Sequence, residues 1–169
     1  MHTRRHNRNR KSAATAAATA AAVVVFSTDE VVGEAVATTA GPNTILKATF
    51  TALPPGPHGF HIHSAGDLRG KGCVGACSHW NKGKPTNHGG PPGHPGQRHT
   101  GDLGNIELSP GKKSVTYTYT LNAVSPAELW GRTLIIHADP DDLGQGPHED
   151  SHTTGHSGKR IACALFGRM

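Results

Sequence analysis

The sequence predicts an all-β domain, and three observations predict it. Short runs rich in Val, Ile, Thr, Phe and Tyr recur along the chain, bounded by Gly, Pro, Asn or Asp. One of them, Ser114-Val115-Thr116-Tyr117-Thr118-Tyr119-Thr120, alternates strictly, which is the period of a half-buried strand. Long helical periodicities are few. The expected architecture is an eight-stranded antiparallel Greek-key barrel or sandwich interrupted by two long loops.

The N-terminus stands apart from this pattern. Of the 17 Lys and Arg, five lie in the first eleven residues, so the net charge of +5 belongs to that run and the remainder is neutral. An Ala/Thr-rich stretch follows, and residues 1–20 are expected to be an extension ahead of a domain spanning residues 21–169. The extension is read as disordered or as a targeting segment: a transit peptide, or a secretion signal with small residues at Ala20-Ala21-Ala22. A cytoplasmic location is otherwise favoured. A pI near 9.4 confined to a terminal run does not define a nucleic-acid surface, so no specific nucleic-acid partner is expected. No segment is apolar enough to span a bilayer.

The strands are expected at Val23–Phe26, Val31–Thr38, Thr44–Thr51, Gly59–His63, Asn105–Leu108, Ser114–Leu121, Thr133–His137 and Arg160–Phe166. The turn Ser109-Pro110-Gly111 joins the fifth to the sixth. Between them, Ala65–Gly104 is a Gly/Pro/His-rich segment of forty residues and Asp139–Lys159 is a second long connection. Loops of that length are functional or disordered, and the density of His points to a metal that organises the first.

The chemistry concentrates in Gly59-Phe60-His61-Ile62-His63. On an extended strand His61 and His63 share a face, about 6–7 Å apart, so both imidazoles can approach one ion. By itself that pair is a weak signal. His79, His88, His99 with Asp102, and His137 at the end of an apolar run supply further donors. Three cysteines, Cys73, Cys77 and Cys163, allow one disulfide and leave one thiol.

These residues resemble the copper/zinc superoxide dismutases. The family's GFHxH strand is similar to Gly59–His63, its GDLGN turn to Gly101-Asp102-Leu103-Gly104-Asn105, and its GRTxxxH strand to Gly131–His137. Asp141-Asp142-Leu143-Gly144 and Arg160-Ile161-Ala162-Cys163 match the DDLG and RxAC segments, in the family's order. The resemblance implies a β-sandwich that converts superoxide to dioxygen and hydrogen peroxide by alternating reduction and oxidation of a histidine-bound copper. Copper would be held by His61, His63, His79 and His137, and zinc by His79, His88, His99 and Asp102, with His79 bridging the two. An all-imidazole set suits copper, whereas three nitrogens and a carboxylate suit zinc.

Further roles follow from the same resemblance. Asp141 would orient His61 and His88, and His58 would be structural. Arg160 would attract and orient the anion, with Lys159 a solvated neighbour. Cys73 and Cys163 would form the disulfide, leaving Cys77, where the family has a small non-thiol residue, as a buried thiol. The loop holding the zinc ligands is longer than usual, which makes His94 a competitor. His99 is preferred because Arg98-His99-Thr100-Gly101-Asp102 keeps the spacing to the aspartate, with Pro91–Gly96 bulging outward. In the second loop Glu149, Asp150 and Thr154 match family positions, but Thr153 replaces the steering lysine, and His148, His152 and His156 could restore positive charge at lower pH. A homodimer is implied, weakened because Leu129 and Trp130 are joined at the expected face by Ala65 and Arg168, and a copper chaperone is a candidate partner. The alternative function is a copper-chaperone or metal-storage domain on the same fold.

Overall fold

The computed structural model describes residues 21–84 and 86–169, so the expectations for residues 1–20 lie outside the described residues. Nine strands are described: β1 Ala21–Ser27, β2 Val32–Ala40, β3 Asn43–Ala52, β4 His58–His63, β5 Asp102–Ile106, β6 Val115–Leu121, β7 Thr133–His137, β8 Arg160–Leu165 and β9 Gly167–Arg168. The eight expected strands are present, and β9 is a short addition pairing with β1. The fifth strand begins earlier than the sequence suggested, at Asp102, and ends at Ile106.

The strands form two antiparallel sheets. One has the order β6-β3-β2-β1-β9 and the other β5-β4-β7-β8. The chain crosses between them after β3, β5, β6 and β8, which is a Greek-key path, and the sheets stay open as a sandwich instead of closing into a barrel. All four phenylalanines, Phe26, Phe50, Phe60 and Phe166, are buried between the sheets. Phe26, Phe50, Phe60 and Tyr119 form a chain of tilted and edge-to-face contacts with ring centroids 5.8, 5.7 and 6.2 Å apart. Burying such a side chain contributes about 1.5–3 kcal/mol.

In the four-stranded sheet, β4 and β7 are the central strands, and every residue of each is buried. Phe60 and Ile62 of β4, with Leu134 and Ile136 of β7, belong to the core. Because side chains alternate, His61, His63 and His137 project from the opposite face, which the two long loops cover. A face that would otherwise be wet becomes a second interior.

Two bulges adjust that face. At the β4–β5 edge the pairing runs Gly59↔Asn105 and then His61↔Asp102, with one extra residue on β5. Gly104 supplies it at φ +74°, a conformation that costs glycine little. Leu103 and Ile106 therefore both reach the core while Asp102 lies across from His61. The second bulge lies between Ile136 and His137, where the partner shifts from Ala162 to Arg160 and sets Arg160 opposite His137.

A disulfide joins Cys73 to Cys163, with 6.6 Å between Cα atoms, and ties the first loop to β8. Closing a loop of 90 residues contributes on the order of 4–5 kcal/mol in the chain-entropy account. Cys77 is exposed, which corrects the buried thiol expected from sequence: its backbone sits at φ +63° at the end of a 3₁₀ turn, and its carbonyl, not its sulfur, faces the interior.

Candidate metal centre

Six imidazoles from β4, β7 and the first loop meet over the outer face of the four-stranded sheet. Donor atoms of His61, His63, His79 and His137 lie within 4.8 Å of one another, and so do those of His79, His88, His99 and Asp102. His79 belongs to both groups. His94 joins neither: it turns back on its own loop, with Nδ1 3.0 Å from the Pro95 carbonyl.

The neighbours of each ring decide which nitrogen faces inward. An acceptor on the outer side of a ring, a carbonyl oxygen or Asp141, fixes a proton on the nitrogen beside it and leaves the other nitrogen to face the cluster. His63 Nδ1 donates to the Cys77 carbonyl (2.8 Å), and His137 Nδ1 to the Gly158 carbonyl (3.3 Å). His61 Nε2 donates to Asp141 Oδ2 and His88 Nε2 to Asp141 Oδ1, both at 2.8 Å. His99 Nε2 donates to the Thr86 carbonyl (3.0 Å). His79 alone has no such outer partner: Nδ1 faces Asp102 Oδ1 at 2.8 Å and Nε2 faces the other group.

As a result, His61 Nδ1, His63 Nε2, His79 Nε2 and His137 Nε2 are buried with no hydrogen-bonding partner in the protein. Four orphaned lone pairs in one small volume are costly unless a cation sits among them. Around Asp102 Oδ1, the Nδ1 atoms of His79, His88 and His99 lie at 2.8, 3.0 and 3.3 Å. Ligands about 2.0–2.1 Å from a tetrahedral zinc are separated by about 3.3 Å, and the three nitrogens stand at close to that spacing from Asp102 Oδ1. The donor sets therefore fit the two metals that the residue types suggest.

Burial keeps the first group ready. Desolvation, reinforced by the neighbouring His79, pushes His61 well below the ordinary histidine range and His63 down to about 2. Desolvation lowers His137 to about 4, and it also lowers His79. His88 differs: burial opposes its charge, but hydrogen bonds to Asp102 and Asp141 outweigh that and hold it up at about 9. The histidines around Asp102 and Asp141 likewise keep both carboxyls below the carboxylate range despite their desolvation.

The second loop closes over this cluster. Asn105 grips Asp141 from both sides, its Oδ1 accepting from the Asp141 N–H (2.7 Å) and its Nδ2 donating to the Asp141 carbonyl (2.8 Å). Gly155, at φ +68°, packs so near Asp141 and His88 that any side chain would collide with both. The His88 N–H donates to the His152 carbonyl at 2.7 Å. Asn105 lies inside the GDLGN motif, yet nothing in the motif shows what it holds. Gly155 carried no signal in the sequence.

Arg160 stands at the edge of the first group. Its guanidinium donates to the carbonyls of Cys73 (2.7 Å) and Cys77 (2.5 Å) and to no carboxylate, so its charge is not neutralised. The same Cys77 carbonyl accepts from His63. In the second loop His148 and His156 stack with centroids 3.6 Å apart, and His156 Nδ1 pairs with Asp150 at 2.7 Å. Leu129 is buried in the core, while the Arg168 guanidinium lies over Trp130, 5.1 Å from its ring.

A protein-family model described as copper/zinc superoxide dismutase (SODC) matches residues 15–166, and the chain belongs to that family. A solved structure described as the clock protein EA4 superposes with a TM-score of 0.78 at 33% identity, covering 88% of this chain and 94% of that one. No described helix is long and apolar enough to cross a membrane.

The titrating groups dictate how the metal-free protein responds to pH. His63 and His137 have folded pKa values below the unfolded 6.5, so the unfolded chain takes up protons first as pH falls. Their contribution, with that of Asp102 and Asp141, is therefore lost on the acid side. His88, raised to about 9, contributes fully below 6.5 and is lost as pH rises towards 9. The urea midpoint of the metal-free chain is expected to peak between these limbs, falling on both sides. A midpoint unchanged between pH 4 and 9 would contradict the assignment of these groups.

Proposed function

We propose that the protein is a superoxide dismutase, with copper on His61, His63, His79 and His137 and zinc on His79, His88, His99 and Asp102. The observation that carries this reading is the set of four buried imidazole nitrogens, unpartnered and facing one another beside an unneutralised arginine. When bound, copper supplies the reversible one-electron chemistry that yields dioxygen from one superoxide and hydrogen peroxide from the next, and zinc holds the site's shape.

The chain's own residues do the rest. Arg160 binds the small anion, and its planar fork is fixed in direction by the Cys73 and Cys77 carbonyls. Its field reaches the site, contributing to the lowered pKa values of His63 and His137. Lys159 is exposed beside it and adds to the attraction. His79, with a nitrogen towards each donor group and no carbonyl partner, is the ring that can take up a proton at Nε2 and release it again. Asp141 keeps His61 and His88 in their tautomers, so neither ring can turn away.

The chaperone or storage alternative needs metal binding but no anion capture. The complete set of four imidazoles together with Arg160 favours the enzyme. A homodimer is proposed to be weak, because Arg168 already covers Trp130 and Leu129 is withdrawn into the core. Sedimentation at nanomolar concentration should find monomers, and a tight dimer there would overturn this.

His137→Ala is expected to reduce copper retention to under about a tenth and abolish superoxide removal, read by metal analysis and pulse radiolysis. Wild-type turnover in that variant would sink the assignment. Arg160→Ala should keep both metals but slow the reaction about tenfold or more and flatten its dependence on ionic strength. An unchanged rate and salt profile would remove Arg160 from anion capture.

A further inference from the structure

The zinc ligands come from two arms of the first loop, residues 86–90 with His88 and residues 97–102 with His99 and Asp102. Between them lies the Pro/Gly-rich excursion 91–96. Such a chain does not hold the arms at a set separation by itself, because each loop residue carries its own conformational entropy. Something at the base of the excursion must fix the gap. On one side it is the Asp102 carboxylate, whose Oδ2 accepts from the N–H groups of Gly89 (3.0 Å) and His99 (2.6 Å), leaving Oδ1 for the three imidazoles.

On the other side is Arg98. Its Nε donates to the Gly90 carbonyl (3.1 Å), and its Nη2 donates to the carbonyls of Thr100 (3.1 Å) and Asp102 (2.6 Å). Gly90 belongs to the first arm and Thr100 and Asp102 to the second. No carboxylate contacts the guanidinium among the described hydrogen bonds and ion pairs, and its Nε and Nη2 are both committed to main-chain carbonyls. The arms meet closely here, and a side chain on Gly89 would collide with the Gln97 carbonyl.

We infer that Arg98 is a positioning residue for the three-histidine, one-aspartate site: its guanidinium spans the two arms and presets the distance from His88 to His99 and Asp102 before metal arrives. The inference rests on the proposed zinc site and deepens it. It depends on the planar fork as well as the charge, because carbonyls on both arms must be met from one rigid group. A lysine keeps the charge and offers donors from a single rotating point, so it cannot hold both arms in register.

The test uses the full chain stripped of metal and reloaded with Zn²⁺ in competition with a chromophoric chelator, with Co²⁺ as a spectroscopic reporter of tetrahedral geometry. Wild type, Arg98→Lys, Arg98→Ala and His99→Ala are compared, and Cu²⁺ affinity is measured in each. Arg98→Lys and Arg98→Ala are expected to lose about 10–100-fold in zinc affinity, as removal of outer-shell partners does. The cobalt visible bands should shift and weaken, while copper affinity holds within about threefold. Zinc binding within about twofold of wild type in Arg98→Lys, with wild-type cobalt bands, overturns the inference, as does an equal loss of both metals. His99→Ala separates the two levels of the argument. If it loses zinc while Arg98→Lys does not, only the role of Arg98 fails. If it binds zinc as wild type does, the site and the inference fall together.

Discussion

Everything in this molecule depends on where six imidazole protons point. Histidines can be packed into one dry volume only if each N–H faces outward to an acceptor and each lone pair faces inward, since the reverse arrangement would bury donors against donors. The chain meets that condition with the carbonyls of Cys77, Gly158 and Thr86 and with the two oxygens of Asp141. The exception is His79, which faces both groups and belongs to each. A site arranged this way is suited to a metal, because its unfavourable interactions are the ones a cation removes.

The sandwich makes that arrangement affordable by giving one sheet two buried faces. The core face of β4 and β7 carries Phe60, Ile62, Leu134 and Ile136, and the alternation that puts them there sends His61, His63 and His137 the other way. The long loops then act as a lid of polar backbone. The disulfide anchors the first of them to β8, and Ser151, bonded to Asp142 at 2.6 Å, helps to fold the second onto the site. Arg160 lies where these pieces join, so the carbonyls of the disulfide turn also fix the direction of its guanidinium.

Much of this was legible in the sequence. The short β-branched runs indicated the strands, and the x-His-x-His alternation indicated that two imidazoles share a face. The order of the motifs indicated the family and the grouping of seven donors into two sets that share His79. The fifth strand was read too late, because the extra residue at Gly104 reverses the alternation between Leu103 and Ile106 and hides Asp102 from a period-2 reading. Cys77 was read as buried because its residue type usually is. Its left-handed backbone instead turns the carbonyl inward and the thiol out. Arg98 looked like a spacer beside His99, and nothing in the sequence shows that its side chain reaches back to Gly90.

The sequence by itself determined the chemistry on offer: which donor types are present, that His61 and His63 lie on one face of a strand, and that the rest of the domain is apolar enough to pack two sheets. Those are local properties, set by residue type and by a repeat of two. The tertiary structure alone decided which nitrogen each ring presents and which way Arg160 and Asp102 turn. The partners that settle this lie far along the chain, 14 residues away for His63 and 80 for His61, and the bulges arise only when one strand is laid against another. Proton position and register are properties of contacts, and contacts exist only once the chain has folded.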